Sequence, residues 1–318
     1  ALLRLDAEGL LELALTFLGA HAIAPEYKGD PDGYTQVVCG EMLPAVHTWW
    51  QAHAPGTPLP FVDVFCETGA FSLAQSRRIL ESAKALGFPL KIHADEFDNL
   101  GGASLAAELG AVSADHLVKT SPADIAALGK SSTVAVGLPC TPFGLAEREY
   151  TPARAILEAG GLLALASDLN PGTAWCGDMQ LTIALACRYM RLTPAQAIAA
   201  ATINAAAAIG RQDCTGSLEA GKQADLIILL IDETSAVTAK NMVAAEMQDC
   251  ATPTIFVHNK IDLTGAPASI ERHGGTTRVF LSAKSGEGVE LLKEAILSAV
   301  GWRREEGIYM ARTRHMDA

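Results

Sequence analysis

The sequence has no uninterrupted apolar run near the roughly 20 residues of a spanning helix. Nothing at its start reads as the basic, apolar and small-residue segments of a secretory leader. It opens at Ala1, without Met, directly in a periodic segment, as a cut start does. Its seven cysteines (Cys39, Cys66, Cys140, Cys176, Cys187, Cys214, Cys250) include no C-x-x-C pair and no zinc-knuckle spacing. An odd, scattered set fits a reducing cytoplasm better than a disulfide framework. Positive charge is scarce. The net charge is −12, with 14 Lys/Arg against 24 Asp/Glu in residues 1–230 and 10 against 12 in 231–318. The acidity of the first part argues against a broad nucleic-acid footprint there. No low-complexity linker interrupts the 318 residues, a length that holds one large core or two ordinary ones.

What is present is alternation. Apolar runs fall at Leu15–His21, Phe61–Glu67, Leu90–Asp95, Ala114–Leu117, Val134–Leu138 and Leu163–Asp168. Amphipathic or Ala-rich stretches lie between them near 38–53, 72–87, 101–110, 122–129 and 152–159. Strand and helix in turn, with short loops, predict a parallel sheet, and strands without polar alternation predict burial on both faces. His21, Glu67, His93, Asp95, Glu96, Asp115, His116 and Asp168 all fall at C-terminal strand ends, the face where a (β/α)8 barrel carries its active site. The α/β class expected is therefore an incomplete barrel of about six of eight strands, with an open doubly wound sheet as the competitor.

Residues 178–209 read as two helices, the second capped by Thr193 with Pro194 in its first turn. The stretch Gly216–Gln223 nearly matches a phosphate loop, but its eighth position is Gln223, without a hydroxyl for Mg²⁺. It also runs into a strand rather than opening a helix, so a turn before a strand is the better reading. Beyond Leu230 the pattern changes. Thr254–Asn259 and Val279–Ser282 read as strands that end in polar signatures, and Val289–Val300 as an amphipathic helix. The domains expected are 1–229 and 230–318.

Two imidazoles and a carboxylate (His93, His116 and Asp168) on different strands of one barrel would converge on one mouth, the usual way to hold a divalent ion and activate its water. His47 and His53, beside Trp49 and Trp50, read as structural or solvated, and Cys66 as a small buried apolar group. Glu67 is a candidate for substrate or supporting contacts.

The segments 16–21, 63–67, 93–96, 113–117 and 167–173, with 201–206 and 216–229, resemble imidazolonepropionases of the amidohydrolase superfamily. The resemblance implies opening of 4-imidazolone-5-propanoate to N-formimidoyl-L-glutamate in histidine degradation. It implies a zinc or iron ion (Zn²⁺, Fe²⁺ or Fe³⁺) ligated by His93 and Asp168, with Asp168 also taking the proton of the attacking water. His116 would orient Asp168 or the water, and Glu96 and His21 would contact the ring. Asn170, Gly172 and Thr173 would hold polar groups of substrate or product; a tight Asn-Pro-Gly turn needing no ligand is the other reading. The partner implied is a small molecule, in a cytoplasmic enzyme that uses no membrane and is compatible with a homodimer. The superfamily's His-x-His pair occurs nowhere in this sequence, so two metal ligands are missing and the chain as written is expected to be inactive or nearly so.

In the second part, Asn259, Lys260 and Asp262 form an N-K-x-D after an apolar strand, and Ser282, Ala283 and Lys284 follow about 20 residues later at the next strand end. An aspartate there can accept both donors of guanine's edge. With Gly286–Val289 and Glu306–His315, this part resembles the C-terminal half of the Ras-like G domain of the tRNA wobble-uridine-modifying GTPases (MnmE/TrmE). No phosphate loop accompanies these base-reading residues, so GTP is not expected to bind well and Lys284, Lys293, Arg303 and Arg304 serve as a solvated face. The stretch Ala224–Asp232 reads acceptably as the hydrolase's returning sandwich strand or as a G-domain strand. The leading expectation is a fragment of an imidazolonepropionase-type hydrolase; the alternatives are a fragment of a tRNA-modifying GTPase and a chimeric chain with no activity.

Overall fold

A computed structural model describes residues 2–8, 12–224, 226–234, 252–273 and 276–299. Cys250, Val300, Arg303, Arg304 and the segment Glu306–His315 lie outside the described residues. Among those described, no helix is long and apolar enough to cross a membrane. The chain divides into two compact units, one spanning Leu13–Lys222 and the other Gln223 onward with Leu3–Glu12.

The larger unit is a sheet of six strands, β1 (Thr16–Ala20), β2 (Phe61–Cys66), β3 (Leu90–Ala94), β4 (Ser113–His116), β5 (Val134–Gly137) and β6 (Leu163–Leu165). They are hydrogen-bonded in sequence order and all parallel. An open doubly wound sheet reverses its strand order at a switch point; unbroken order is that of a barrel arc. Apart from the short α1 (Leu2–Glu8), the early helices are α2 (Pro31–Val37) and α3 (Leu43–His53), joined through a π-helical turn at Val38–Met42.

Helices α4 (Leu73–Ala85), α5 (Gly102–Leu109), α6 (Pro122–Leu128), α7 (Cys140–Gly144) and α8 (Ala153–Glu158) fill the strand-to-strand crossovers. β2, β4, β5 and β6 are buried on both faces as their apolar runs require, whereas the edge strand β1 exposes Leu18; Val62, Val64, Ile92, Ala94 and Ala114 have no exposure. Helix starts follow local chemistry. Ser72 Oγ accepts from the Gln75 N–H while Gln75 Oε1 accepts from the Ser72 N–H, a reciprocal cap that fixes the entry to α4.

After α9 (Met179–Tyr189), the single helix expected to begin at Pro194 is two, α10 (Pro194–Ala201) and α11 (Ile203–Ala208). Thr202 breaks it, with φ −122° and ψ −93° and its hydroxyl turned back onto the Ile198 carbonyl.

The smaller unit has a four-stranded sheet in the order β7 (Ile227–Asp232), β8 (Thr254–Asn259), β10 (Thr276–Leu281), β9 (Ser269–His273). β7, β8 and β10 are parallel, and β9 is antiparallel to β10. β7, also readable as a returning sandwich strand, is paired with β8 along its whole length. Helix α12 (Ile261–Thr264) follows β8, and α13 (Val289–Ala299) sets Ala295 in a small core with Ile255, Val257, Val279 and Leu281.

Candidate active site

Register places the chemistry. In a parallel pair, partnered residues share a face, so Asp63 with Lys91, Phe65 with His93, and His93 with Asp115 form rows across β2, β3 and β4. Alternation would send His116, the partner of Ala94, to the opposite face. Its backbone is instead left-handed, φ 76°, and the imidazole ring stands 5.1 Å from that of His93. Asp95 (φ 57°), Leu117 (φ 58°) and Asp168 (φ 52°) share this sparsely populated conformation. Such strain at four residues of one mouth is characteristic of functional positions.

Asp63 is 2% exposed, with Oδ1 3.0 Å from His93 Nδ1 and 3.4 Å from His21 Nε2. The His21 and His93 rings meet edge-on at 4.6 Å. Burial alone would raise the Asp63 carboxyl, but the charge of His93 and the contacts of both imidazoles hold it well below the usual carboxylate range. Burial likewise opposes charge on His93, and Asp63, then Asp115 and Asp168, overcome it and raise its pKa to about 9. Among the described residues, the group of three His/Cys/Asp/Glu side chains whose donor atoms all lie within 4.8 Å of one another is His21, Asp63 and His93. His21 Nε2 is also buried without a hydrogen-bond partner. Two imidazoles gathered on one carboxylate are donors of the kind a divalent cation of zinc or iron type takes.

Glu96 and His116 lie beside this group. His116 Nε2 is 3.5 Å from Glu96 Oε2. Burial, aided by the like charge of Asp168 and opposed by His93, raises the Glu96 pKa to about 7. Burial and then His93 push His116 down to about 3, so its ring is neutral near pH 7. A carboxyl that titrates near neutrality beside a neutral imidazole can move a proton. Both line a cavity of about 190 Å³ together with Lys119, Thr141 and Glu149. Asp168 Oδ2 accepts from the Thr141 hydroxyl at 2.6 Å.

His93, His116 and Asp168 are the residues expected about the cation; in the structure the His93 ring stands 5.1 Å from that of His116, and its Nδ1 lies 3.0 Å from Asp63, with His21 beside them. Asp63 was not singled out, although an aspartate inside Phe61–Cys66, an otherwise apolar run, was the signal that could have found it. Glu67 does not face the cavity. Its carboxylate accepts from the N–H groups of Thr68, Glu96, Phe97 and Asp98 at 3.0–3.1 Å, pinning the loop that carries Glu96. Asn170 Oδ1 accepts from the Gly172 and Thr173 N–H groups, and its Nδ2 donates to the Asp168 carbonyl. This trio therefore forms a self-bonded turn that fixes the backbone of Asp168.

In the smaller unit, the β8–β10 pairing brings the two loop signatures together. Asn259 Oδ1 accepts from the Lys260 and Ala283 N–H groups, and Ser282 donates to Asp262 Oδ1 at 2.7 Å. Lys260 Nζ pairs with Asp232 at 2.6 Å.

A family model described as "Amidohydrolase family" matches residues 67–260. The chain is 56% identical over 214 residues to the imidazolonepropionase of Herpetosiphon aurantiacus, an alignment that takes in 67% of this chain and 50% of that protein. It is 49% identical over 236 residues to the imidazolonepropionase of Chloroflexus aggregans, across 73% of this chain and 55% of that one. The chain thus spans about half the length of the curated relatives it matches. Among solved structures, an amidohydrolase from a Sargasso Sea environmental sample aligns with a TM-score of 0.51 at 19% identity, covering 69% of this chain and 52% of that one. A variant of the atrazine chlorohydrolase of Arthrobacter aurescens, complexed with zinc and atraton, aligns at 0.52 and 13%, covering 70% and 54%. At these identities the likeness concerns the fold alone.

Proposed function

The chain belongs to the amidohydrolase family, and from that premise we propose that its larger unit carries part of a metal-dependent site that opens a cyclic amide. The substrate proposed is 4-imidazolone-5-propanoate and the product N-formimidoyl-L-glutamate. The observation that carries the reading is the contiguous set His21, Asp63, His93, His116 and Glu96 at the sheet's C-terminal mouth, within a stretch 56% identical to an imidazolonepropionase.

His93 would hold the cation, with Asp168 as the second ligand and His21 within reach. Asp63 occupies His93 Nδ1 and so leaves Nε2 for the metal. When bound, a zinc or iron ion lowers the pKa of a coordinated water. The protein's own groups do the rest. Asp168, steadied at Oδ2 by Thr141, has Oδ1 to accept a proton from the attacking water. Glu96, titrating near 7, can pass a proton to the departing ring nitrogen, with His116 Nε2 beside it.

The sequence contains no His-x-His, and a catalytic metal site ordinarily uses three or more protein ligands. The 318 residues alone should therefore turn over at or near background. The test is a graft. Residues 13–222 replace the matching stretch of the Herpetosiphon enzyme, and loss of the imidazolone absorbance is followed with Zn²⁺ or Fe²⁺. Turnover by the graft, reduced at least 100-fold by Glu96→Gln, supports the reading. An inert graft that folds and holds metal overturns it, and robust turnover by the ungrafted chain overturns the inactivity.

A second reading applies to the smaller unit, a partial guanine-recognition site of the tRNA-modifying GTPase kind. What supports it is the bracing of Asn259 against Ala283 and of Ser282 against Asp262. Saturable GDP binding that is lost in Asp262→Ala would sustain it; equal affinity for ADP and GDP would not.

A further inference from the structure

We propose that a second ligand site, separate from the cavity at the mouth, lies in the cleft where the loop before α8 meets the end of α9, and that it takes a phosphorylated small molecule bearing a planar ring. The cleft has a volume of about 580 Å³, within the range of small-molecule pockets. It shares no lining residue with the cavity that holds Glu96 and His116.

Its wall departs from the charge of its surroundings. Arginines are few between Leu13 and Lys222 (Arg77, Arg78, Arg148, Arg154, Arg188, Arg191 and Arg211), and four of them, Arg148, Arg154, Arg188 and Arg191, line this cleft. Arg154 is paired with Glu158 at 3.2 Å. Arg148, Arg188 and Arg191 make no ion pair with a described residue. Three guanidiniums without a carboxylate partner thus line one cleft, and a phosphate, which each can grip through two N–H groups, would neutralise them.

A helix end accounts for part of this. Arg188 in the last turn of α9 and Arg191 just beyond it gain from the negative pole of the helix. That does not account for Arg148, which arrives from a loop about 40 residues earlier, nor for the aromatic floor. Tyr150 and Tyr189 stack at 4.7 Å with 5° between their planes, both within the lining. Tyr189 is 44% exposed, so the stack is accessible from the cleft. Base-on-aromatic stacking is tolerant of the base's identity, whereas the guanidiniums select the phosphates.

The test is calorimetric titration of the full chain with ADP and with adenosine. Adenine is chosen because the Asn259–Asp262 loop would select guanine. The site predicts ADP at least 10-fold tighter than adenosine, weakened at least 10-fold in Arg148→Gln/Arg188→Gln and about 3-fold in Tyr189→Leu. All three substituted side chains are exposed, and an unchanged melting temperature confirms each variant's fold. Absence of ADP binding at millimolar concentration overturns the proposal. So does binding that the arginine variant leaves unchanged, and should that variant fail to fold, equal affinity of the unmodified chain for ADP and adenosine does the same.

Discussion

Asp63 Oδ1 lies 3.0 Å from His93 Nδ1, and the two form the charged hinge of the mouth. The carboxylate fixes which imidazole nitrogen is spent and keeps the ring protonated in the metal-free chain up to about pH 9. Asp63→Asn is expected to lower the His93 pKa by at least one unit, because burial then acts with less opposition. Histidine ring resonances followed by NMR against pH check this. A His93 titration that stays near 9 would show that Asp63 does not govern it.

Glu67 holds the loop on which Glu96 sits. Four backbone N–H groups share its carboxylate, and the residue is 2% exposed. Glu67→Ala should cost about 2–4 kcal/mol in urea denaturation, since buried donors would lose a charged acceptor. A loss below about 0.5 kcal/mol would mean that the loop is held by something else.

Asp95 has no exposure; Oδ2 accepts from Thr120 while Oδ1 has no partner. Burial is the main cause that raises its pKa to about 6, with Asp124 and Glu67 adding repulsion. The folded value lies above the unfolded value near 4, so its favourable contribution is full below pH 4 and is lost as pH rises through 6. Asp95→Asn, which also tolerates the left-handed φ of 57°, should stabilise the chain at pH 7 by about 1–2 kcal/mol. The gain should vanish at pH 4, as denaturation at the two pH values would report. An equal effect at both would remove titration of Asp95 as the cause.

The strands of the larger unit were legible as short apolar runs, most sharply in β2, β4, β5 and β6, which are buried on both faces, and the polar residues at their ends marked the mouth. His93, Glu96, His116 and His21 were reached that way. Asp63 was harder to see because it sits inside the strand, and only the register of β2 against β3 reveals which way it points. Glu67 was legible as a mouth residue but not as an anchor, since its partners are backbone groups about 30 residues away. β9 was missed because Ser269–His273 has the polarity of a loop and becomes a strand through pairing with β10. The bland readings of His53 and Cys66 agree with the structure: His53 Nδ1 caps the Trp49 carbonyl, and Cys66 is wholly buried.

The central claim is that a divalent cation belongs at His93. Zn²⁺ binding to the chain, measured by competition with a chromophoric chelator, tests it most directly. The account predicts one Zn²⁺ per chain, held loosely and weakened at least 10-fold by His93→Ala, with Asp63→Asn weakening it about 10-fold or more. Stoichiometric zinc that survives His93→Ala, or none at any concentration the chelator can report, would contradict it.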